Sequence, residues 1–188
     1  MLNRNEAILE GVVEKEFTFS HSKTSKDIAT QQFYEGMLRV KRPSGENDYI
    51  IIQASKLLLS KFVELKKGDA ITVKGKVASK KYQGEDGKRH FKVYIHASSI
   101  ENVPRDINYT NSIYFAGKII KKGARETTMT GKTVIDTIIV NSTLRGTVRI
   151  PVVFWNDEAK KVASYAEGSL IHLTGSLQSR SHTKATSH

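Results

Sequence analysis

The 188-residue chain has no cysteine, only three prolines and a single tryptophan. Nowhere does it carry an apolar run near the roughly 18 residues that a membrane helix needs. Without thiols there is no disulfide and no thiolate metal site, so a reducing interior is permitted. The opening MLNRNEAILEGVVEKEF lacks the apolar core of a signal peptide. The expectation is a soluble, cytoplasmic and nucleoid-associated protein with no membrane partner, in which the sequons at Asn108 and Asn141 are chance matches. Catalytic signatures are missing as well. The histidines are scattered without ligand spacing, there is no G-x-S-x-G, and no carboxylate cluster suggests a two-metal nuclease. ETTMTGKT (126–133) lacks only the first glycine of a phosphate-binding loop. That loop must open a helix, whereas VIDTIIV continues as a strand, so a hairpin is expected. No cofactor, no metal and no enzymatic activity are expected.

Positive charge is what the chain has in excess. Lysine and arginine number 30 against 19 acidic residues, a net charge of +11 with a pI near 9.7. Such an excess makes a polyanion or an anionic surface the expected partner class. Residues 1–104 hold 18 basic and 13 acidic side chains and residues 105–188 hold 12 and 6, leaving +5 and +6. The charge is therefore not confined to a basic tail.

The chain also repeats itself at an offset of a hundred residues. GKVASKKY (75–82) lies over GSLQSRSH (175–182), with Ser79 and Ser179, Lys80 and Arg180, and the flat rings Tyr82 and His182 in matching places. Upstream, LKKGDAITVKG (65–75) lies over YAEGSLIHLTG (165–175), which aligns Gly68 with Gly168. A fixed offset implies a duplicated domain.

Each half reads as strands with one helix. In the first, β-branched and alternating runs place strands at 6–19, 31–42, 48–55, 69–83 and 89–100, with a helix over 55–68 and an Asp-Gly turn in EDGK (85–88). In the second, strands fall at 111–120, 132–142 and 147–155. A helix follows at 156–168, capped by Asn156 or Asp157 and stopped by Gly168, and a strand bent at Gly175 completes the half. Five strands with a helix between the third and fourth is the order of an OB-fold, a small Greek-key barrel that binds oligonucleotides or oligosaccharides on one face. The expected fold is all-β: two tandem OB-folds over 1–103 and 111–188, joined by a polar linker at 104–110. The second appears without its fifth strand, because only TKATSH follows His182.

With that order in place, NSIYFAGKI, GKTVIDTIIVNS, PVVFWNDEAKKVASYAEGSLIHLTG and GSLQSR resemble strand one, strand two, the strand three to strand four segment, and the start of the binding hairpin of the bacterial single-stranded DNA-binding protein family. NEAILEG and KKGDAITVKGKVASKKYQGEDGKRHF resemble it more loosely. FYEGMLRVKRPSGENDYIIIQASKLL is similar to a tandem-barrel variant found in Firmicutes and their mobile elements. The resemblance implies that Phe154 stands where the family has its strand-three stacking ring, that Tyr82 and His182 match a strand-four stacking ring, and that Lys80 and Arg180 match the cation before it. Ala54 occupies the place of Phe154 in the first half, and the family's acidic C-terminal tail has no counterpart in SRSHTKATSH. Partner recruitment through such a tail is therefore not expected.

Holding a single strand without reading it takes a cationic groove for phosphates and exposed rings for base faces. The cations in strand-end or hairpin clusters are Arg39, Lys41, Arg42, Lys80, Lys81, Arg89, Lys121, Lys122 and Arg125, with Arg149 and Arg180 beyond them. Any one of these alone would be ordinary solvated surface. The candidate rings are Tyr34, Tyr49, Tyr82, Phe154, Trp155 and His182, whereas Phe33, Phe91, Tyr114 and Phe115 are expected in the core. Alternation sends Phe154 and Trp155 to opposite faces: the resemblance selects Phe154, and ring size selects Trp155. The expected function is sequence-tolerant binding that coats and protects single-stranded DNA in replication, recombination or plasmid and phage transfer, by a homodimer that presents four barrels. The alternatives are an assembly module that docks on a primosome or conjugation protein, and an RNA-binding barrel protein.

Overall fold

A computed structural model describes residues 3–62, 64–104 and 106–179. In chain order these form β1 (Asn5–Ser25), β2 (Ile28–Lys41), β3 (Asn47–Ser55), α1 (Lys56–Leu59), β4 (Ala70–Gln83), β5 (Arg89–Asn102), β6 (Asn111–Lys122), β7 (Glu126–Thr127), β8 (Thr133–Thr143), β9 (Gly146–Trp155), α2 (Asn156–Ser164) and β10 (Leu170–Gly175). The strands of the first half close in the order β1-β2-β3-β5-β4-β1. β1 pairs antiparallel with β2 (Val12 opposite Arg39) and with β4 (Ala7 opposite Gly75), and β3 runs parallel to β5 at Ile52 and Ile95. This is the OB-fold barrel that the strand order predicts. In the second half β6 pairs with β8 and β10, and β8 pairs with β7 and β9.

Period-two alternation fills the cores. Ala7, Leu9 and Val13 of β1, Leu38 and Val40 of β2, Ile71 and Val73 of β4 and Ile95 of β5 are buried in the first barrel. In the second half Ile119 and Ile135 meet Ala159 and Val162 of α2, and Phe154, Ala163 and Ile171 pack on that cluster. Each buried valine, leucine or isoleucine among them stabilises by about 1.5–3 kcal/mol relative to an exposed one.

The described residues pack as two compact units, and neither is a contiguous half of the chain. The amino-terminal barrel unit comprises Ala7–Lys76, Tyr94–Ser112 and the described part of Gly175–His188. The carboxy-terminal unit comprises Val77–Val93, Ile113–Thr174 and the described part of Met1–Glu6. The segment 104–110, read from sequence as a linker, is tied to β1 in the first of these: Glu10 N donates to Thr110 O at 2.8 Å and Asn108 N to the Glu10 carboxylate at 2.7 Å.

The hundred-residue repeat has structural counterparts. Gly68 N donates to Val13 O at 2.8 Å and Gly168 N to Ile119 O at 2.6 Å, both glycines at positive φ. The Asn5 amide clamps both backbone groups of Val77 (2.9 and 2.8 Å), and the Asn111 amide does the same to Leu177 (2.8 and 2.9 Å). At Gly75 and Gly175 the copies part. A Cβ on Gly75 would lie 2.1 Å from the His96 carbonyl oxygen of β5, whereas a Cβ on Gly175 meets nothing within 4 Å. In the described residues, then, no strand closes on Gly175 as β5 closes on Gly75.

Several sequence expectations change. The helix over 55–68 shrinks to α1, and beyond it the Ser60 hydroxyl turns back to Leu57 O at 2.6 Å. α2 is not capped by Asn156 or Asp157. Trp155 stands at the cap position without a side-chain bond, and Asn156 takes positive φ. α2 also ends at Ser164, ahead of the turn containing Gly168. Residues 126–133 do form a hairpin, with β7 on β8. Phe33 and Phe115 are core rings, but Phe91 is exposed.

One histidine of the amino-terminal unit ties stability to pH. His96 Nδ1 donates to Gln53 Oε1 at 2.9 Å beside the Phe33 ring; the residue keeps open surface, and partial desolvation, then Lys23 and Lys76, hold its pKa below the ordinary value. The unfolded chain therefore takes up a proton at this site before the folded one does. Stability is unaffected above the unfolded pKa and falls as pH drops below about 6.5, toward the lower folded value. Thermal melts from pH 7.5 to 5.5 should show a steeper loss for the wild type than for His96→Asn; parallel curves would remove His96 as the cause.

Candidate functional site

In the carboxy-terminal unit the sequence candidates gather on the β4–β5 hairpin and on β9. The Asp-Gly turn is closed by Gly84 N to Lys88 O (2.9 Å) and Gly87 N to Gly84 O (3.0 Å), with Gly87 at φ +73°. Asp86 accepts from His90 Nε2 and from Lys88 N at 3.0 Å, and these contacts, His90 first, hold its carboxyl below the usual range. The His90 ring stacks on Tyr82 at 5.5 Å and 28°, so Tyr82, 49% exposed, is braced with open surface remaining. Lys80 and Arg89 are exposed nearby in sequence, and the Lys81 ammonium lies 5.8 Å from the Phe91 ring centre. On β9, Phe154 packs on the core cluster while Trp155 is 47% exposed, the order that ring size selects. Arg149 N donates to Ser79 Oγ at 3.0 Å. Lys121 and Arg125 are exposed. Lys122 is committed: its Nζ donates to the Ala163 and Tyr165 carbonyls at 2.8 and 2.5 Å, a cation at the carboxyl end of α2.

In the amino-terminal unit, Tyr49 is 42% exposed on β3 opposite Arg39, and its amide donates to Ser179 Oγ at 2.9 Å. Tyr34 meets Phe19 edge to face at 5.9 Å. Lys41 is exposed. Arg39 is paired with Glu14 at 3.3 Å. Arg42 grips the buried Asp48 through Nε and Nη2 (2.9 and 2.7 Å) and meets Glu46 at 2.7 Å. Arg39, Arg42 and Lys122 thus have their charge met inside the protein, which sequence clustering alone does not reveal. Arg180 and His182 lie outside the described residues.

Sequence reasoning placed Phe91 in the core and assigned no role to Phe19 or to the repeated serines. The matching serines at 79 and 179 were the available signal: each accepts from an amide of a third strand of the repeat. Among the described residues no group of three or more His, Asp or Glu could hold a metal ion, and no helix is long and apolar enough to cross a membrane.

Each unit thus carries exposed rings on its strands and cations that have no carboxylate partner among the described residues. A family model, the single-strand binding protein family, matches residues 4–103. The chain belongs to this family, a class of single-stranded DNA-binding proteins built on the OB-fold. Among solved structures, the chain is similar to the wild-type single-stranded DNA-binding protein of Thermus aquaticus, at 16% identity and TM-score 0.71 over 95% of this chain and 86% of that one. A deletion mutant of the same protein gives 17% and 0.70 over 94% and 87%. The N-terminal domain of PriB from Thermoanaerobacter tencongensis is 25% identical, with TM-score 0.42, over 54% of this chain and 98% of that one. No curated protein matches the chain. At these identities the likeness to the Thermus aquaticus protein establishes the fold alone.

Proposed function

We propose that the protein coats and protects single-stranded DNA without reading its sequence, in replication, recombination or the transfer of a plasmid or phage genome. The observation that carries this reading is that each unit bears open rings on its strands, Tyr49 in the amino-terminal unit and Tyr82 and Trp155 in the carboxy-terminal one, along with exposed cations, Lys41 in the first and Lys80, Lys81, Arg89, Lys121 and Arg125 in the second, which make no ion pair among the described residues. Rings accept any base face and cations accept any phosphate, so the surface tolerates every sequence. A homodimer of the chain would bring four OB units to one strand; sedimentation mass tests that assembly.

The functional test is fluorescence anisotropy with labelled oligo-dT, poly-rU and a matching duplex at two salt concentrations. Oligo-dT should bind tightly, with a log–log salt slope of about −0.7 per phosphate neutralised, and the duplex, whose base faces are stacked away, far more weakly. Replacing Tyr82 and Trp155 together by alanine should weaken oligo-dT binding by at least about tenfold, given roughly 1–3 kcal/mol per stacked base. Equal affinity for poly-rU would favour an RNA role. Weak, salt-insensitive binding to all three would move the barrels to a protein partner.

A further inference from the structure

We propose that His90, held by Asp86, is a positioning residue that fixes the orientation of the Tyr82 ring without itself touching the bound strand. The two rings stack at 5.5 Å between centres and 28° between planes, so the imidazole backs Tyr82 while that side chain stays 49% exposed. The imidazole is itself fixed. Its Nε2 lies 3.0 Å from both carboxylate oxygens of Asp86 and donates to them, and Asp86 also accepts from Lys88 N at 3.0 Å. The turn does not need the His90 contact, because Gly84 N to Lys88 O (2.9 Å) and Gly87 N to Gly84 O (3.0 Å) already close it. Phosphate binding does not need it either. A carboxylate among Lys80, Lys81, Lys88 and Arg89 would by itself repel a polyanion. Turned onto the imidazole and the Lys88 amide, its charge is met within the hairpin.

Gly84 supplies the floor beneath the pair. A Cβ on Gly84 would lie 2.7 Å from Asp86 Oδ1, 2.7 Å from His90 Cδ2 and 2.9 Å from His90 Nε2. Both side chains therefore rest against this glycine, and space, charge and ring stacking converge on one orientation of Tyr82. Without the brace the tyrosine would visit other staggered rotamers and would have to be ordered each time a base arrived.

This assignment rests on the single-stranded DNA reading, and the measurements keep the two apart. His90→Ala should weaken oligo-dT binding about two- to tenfold, the cost of ordering one side chain. It should leave the salt slope, and the affinity for an abasic strand of equal length, at the wild-type values. In a Tyr82→Ala background it should change nothing. Gly84→Ala should reproduce the oligo-dT loss although it removes no polar group, because the added methyl displaces the pair. Its melting temperature should match wild type, since the atoms the methyl meets are side-chain ends. Unchanged oligo-dT affinity in both variants would overturn the assignment and leave the broader reading standing. A His90→Ala loss that persists without Tyr82, or that appears equally on the abasic strand, would also overturn it, since His90 would then touch the strand itself. If wild type does not bind oligo-dT, NMR of the Tyr82 ring protons in the free protein decides. Ring protons shifted by Gly84→Ala as by His90→Ala would uphold a ring held for another partner, and ring protons that Gly84→Ala leaves in place would overturn it.

Discussion

Asp48→Ala should lower stability by about 2–3 kcal/mol, read as a fall in melting temperature of roughly 5 to 10 °C for a chain of this length. Asp48 is buried at the start of β3 and its carboxylate accepts three bonds, two from Arg42 and one from Ser179 N at 3.0 Å. Truncation loses two charge-assisted bonds and leaves the Ser179 amide unmet. The figure sits below the roughly 3–5 kcal/mol of a fully buried pair because Arg42 is a quarter exposed and keeps Glu46. Arg42→Met should cost at least as much, since it strands a buried carboxylate. Melting curves within experimental error of wild type for both variants would show the pair to be energetically idle. The functional corollary is that Arg42 is an anchor for the amino-terminal unit and adds nothing to the salt slope of DNA binding.

A second large effect is expected at Gly75, with its repeat mate as the control. The atoms a Cβ would meet at Gly75 are backbone: the His96 carbonyl oxygen at 2.1 Å, its carbon at 2.9 Å and the Ala97 Cα at 3.0 Å. No rotamer relieves such a clash, so β4 and β5 must separate, and Gly75→Val should cost about 3 kcal/mol or fail to give soluble protein. Gly75→Ala should already be clearly destabilised. Gly175→Ala, built into open space, should change the melting temperature little. Equal melting temperatures for the two alanine variants would mean that β5 does not close on Gly75 as described.

These two positions also mark what the sequence can and cannot convey. The barrel order, the duplication and the Asp-Gly hairpin are legible because they depend on local alternation and on turn residues whose backbone needs are their own. The identical glycines at 75 and 175 give no hint that one is crowded and the other open, since that depends on a strand twenty residues away. Arg42 belongs to a basic cluster in sequence; only the β2–β3 register brings it onto Asp48. Likewise Phe154 and Trp155 are assigned to opposite faces by parity, but which face is inside follows from where α2 packs. Phe91 reads as a core ring for the same reason: an aromatic in an alternating strand gives no sign that its stretch of β5 extends past its own barrel.

The composition of the two compact units bears on how the chain is made. Val77–Val93 packs with Ile113–Thr174, so during synthesis the hairpin leaves the ribosome long before its packing partners exist. At about 5–20 residues per second the wait is roughly 5 to 20 s, ample time for an unpaired ribbon to find another nascent chain. Lys80, Lys81, Lys88 and Arg89 lie along that ribbon, and strand edges studded with cations resist edge-to-edge association. These charges thus serve first as guardians of an unfinished fold, and a variant that neutralises them would show its defect as aggregated nascent protein.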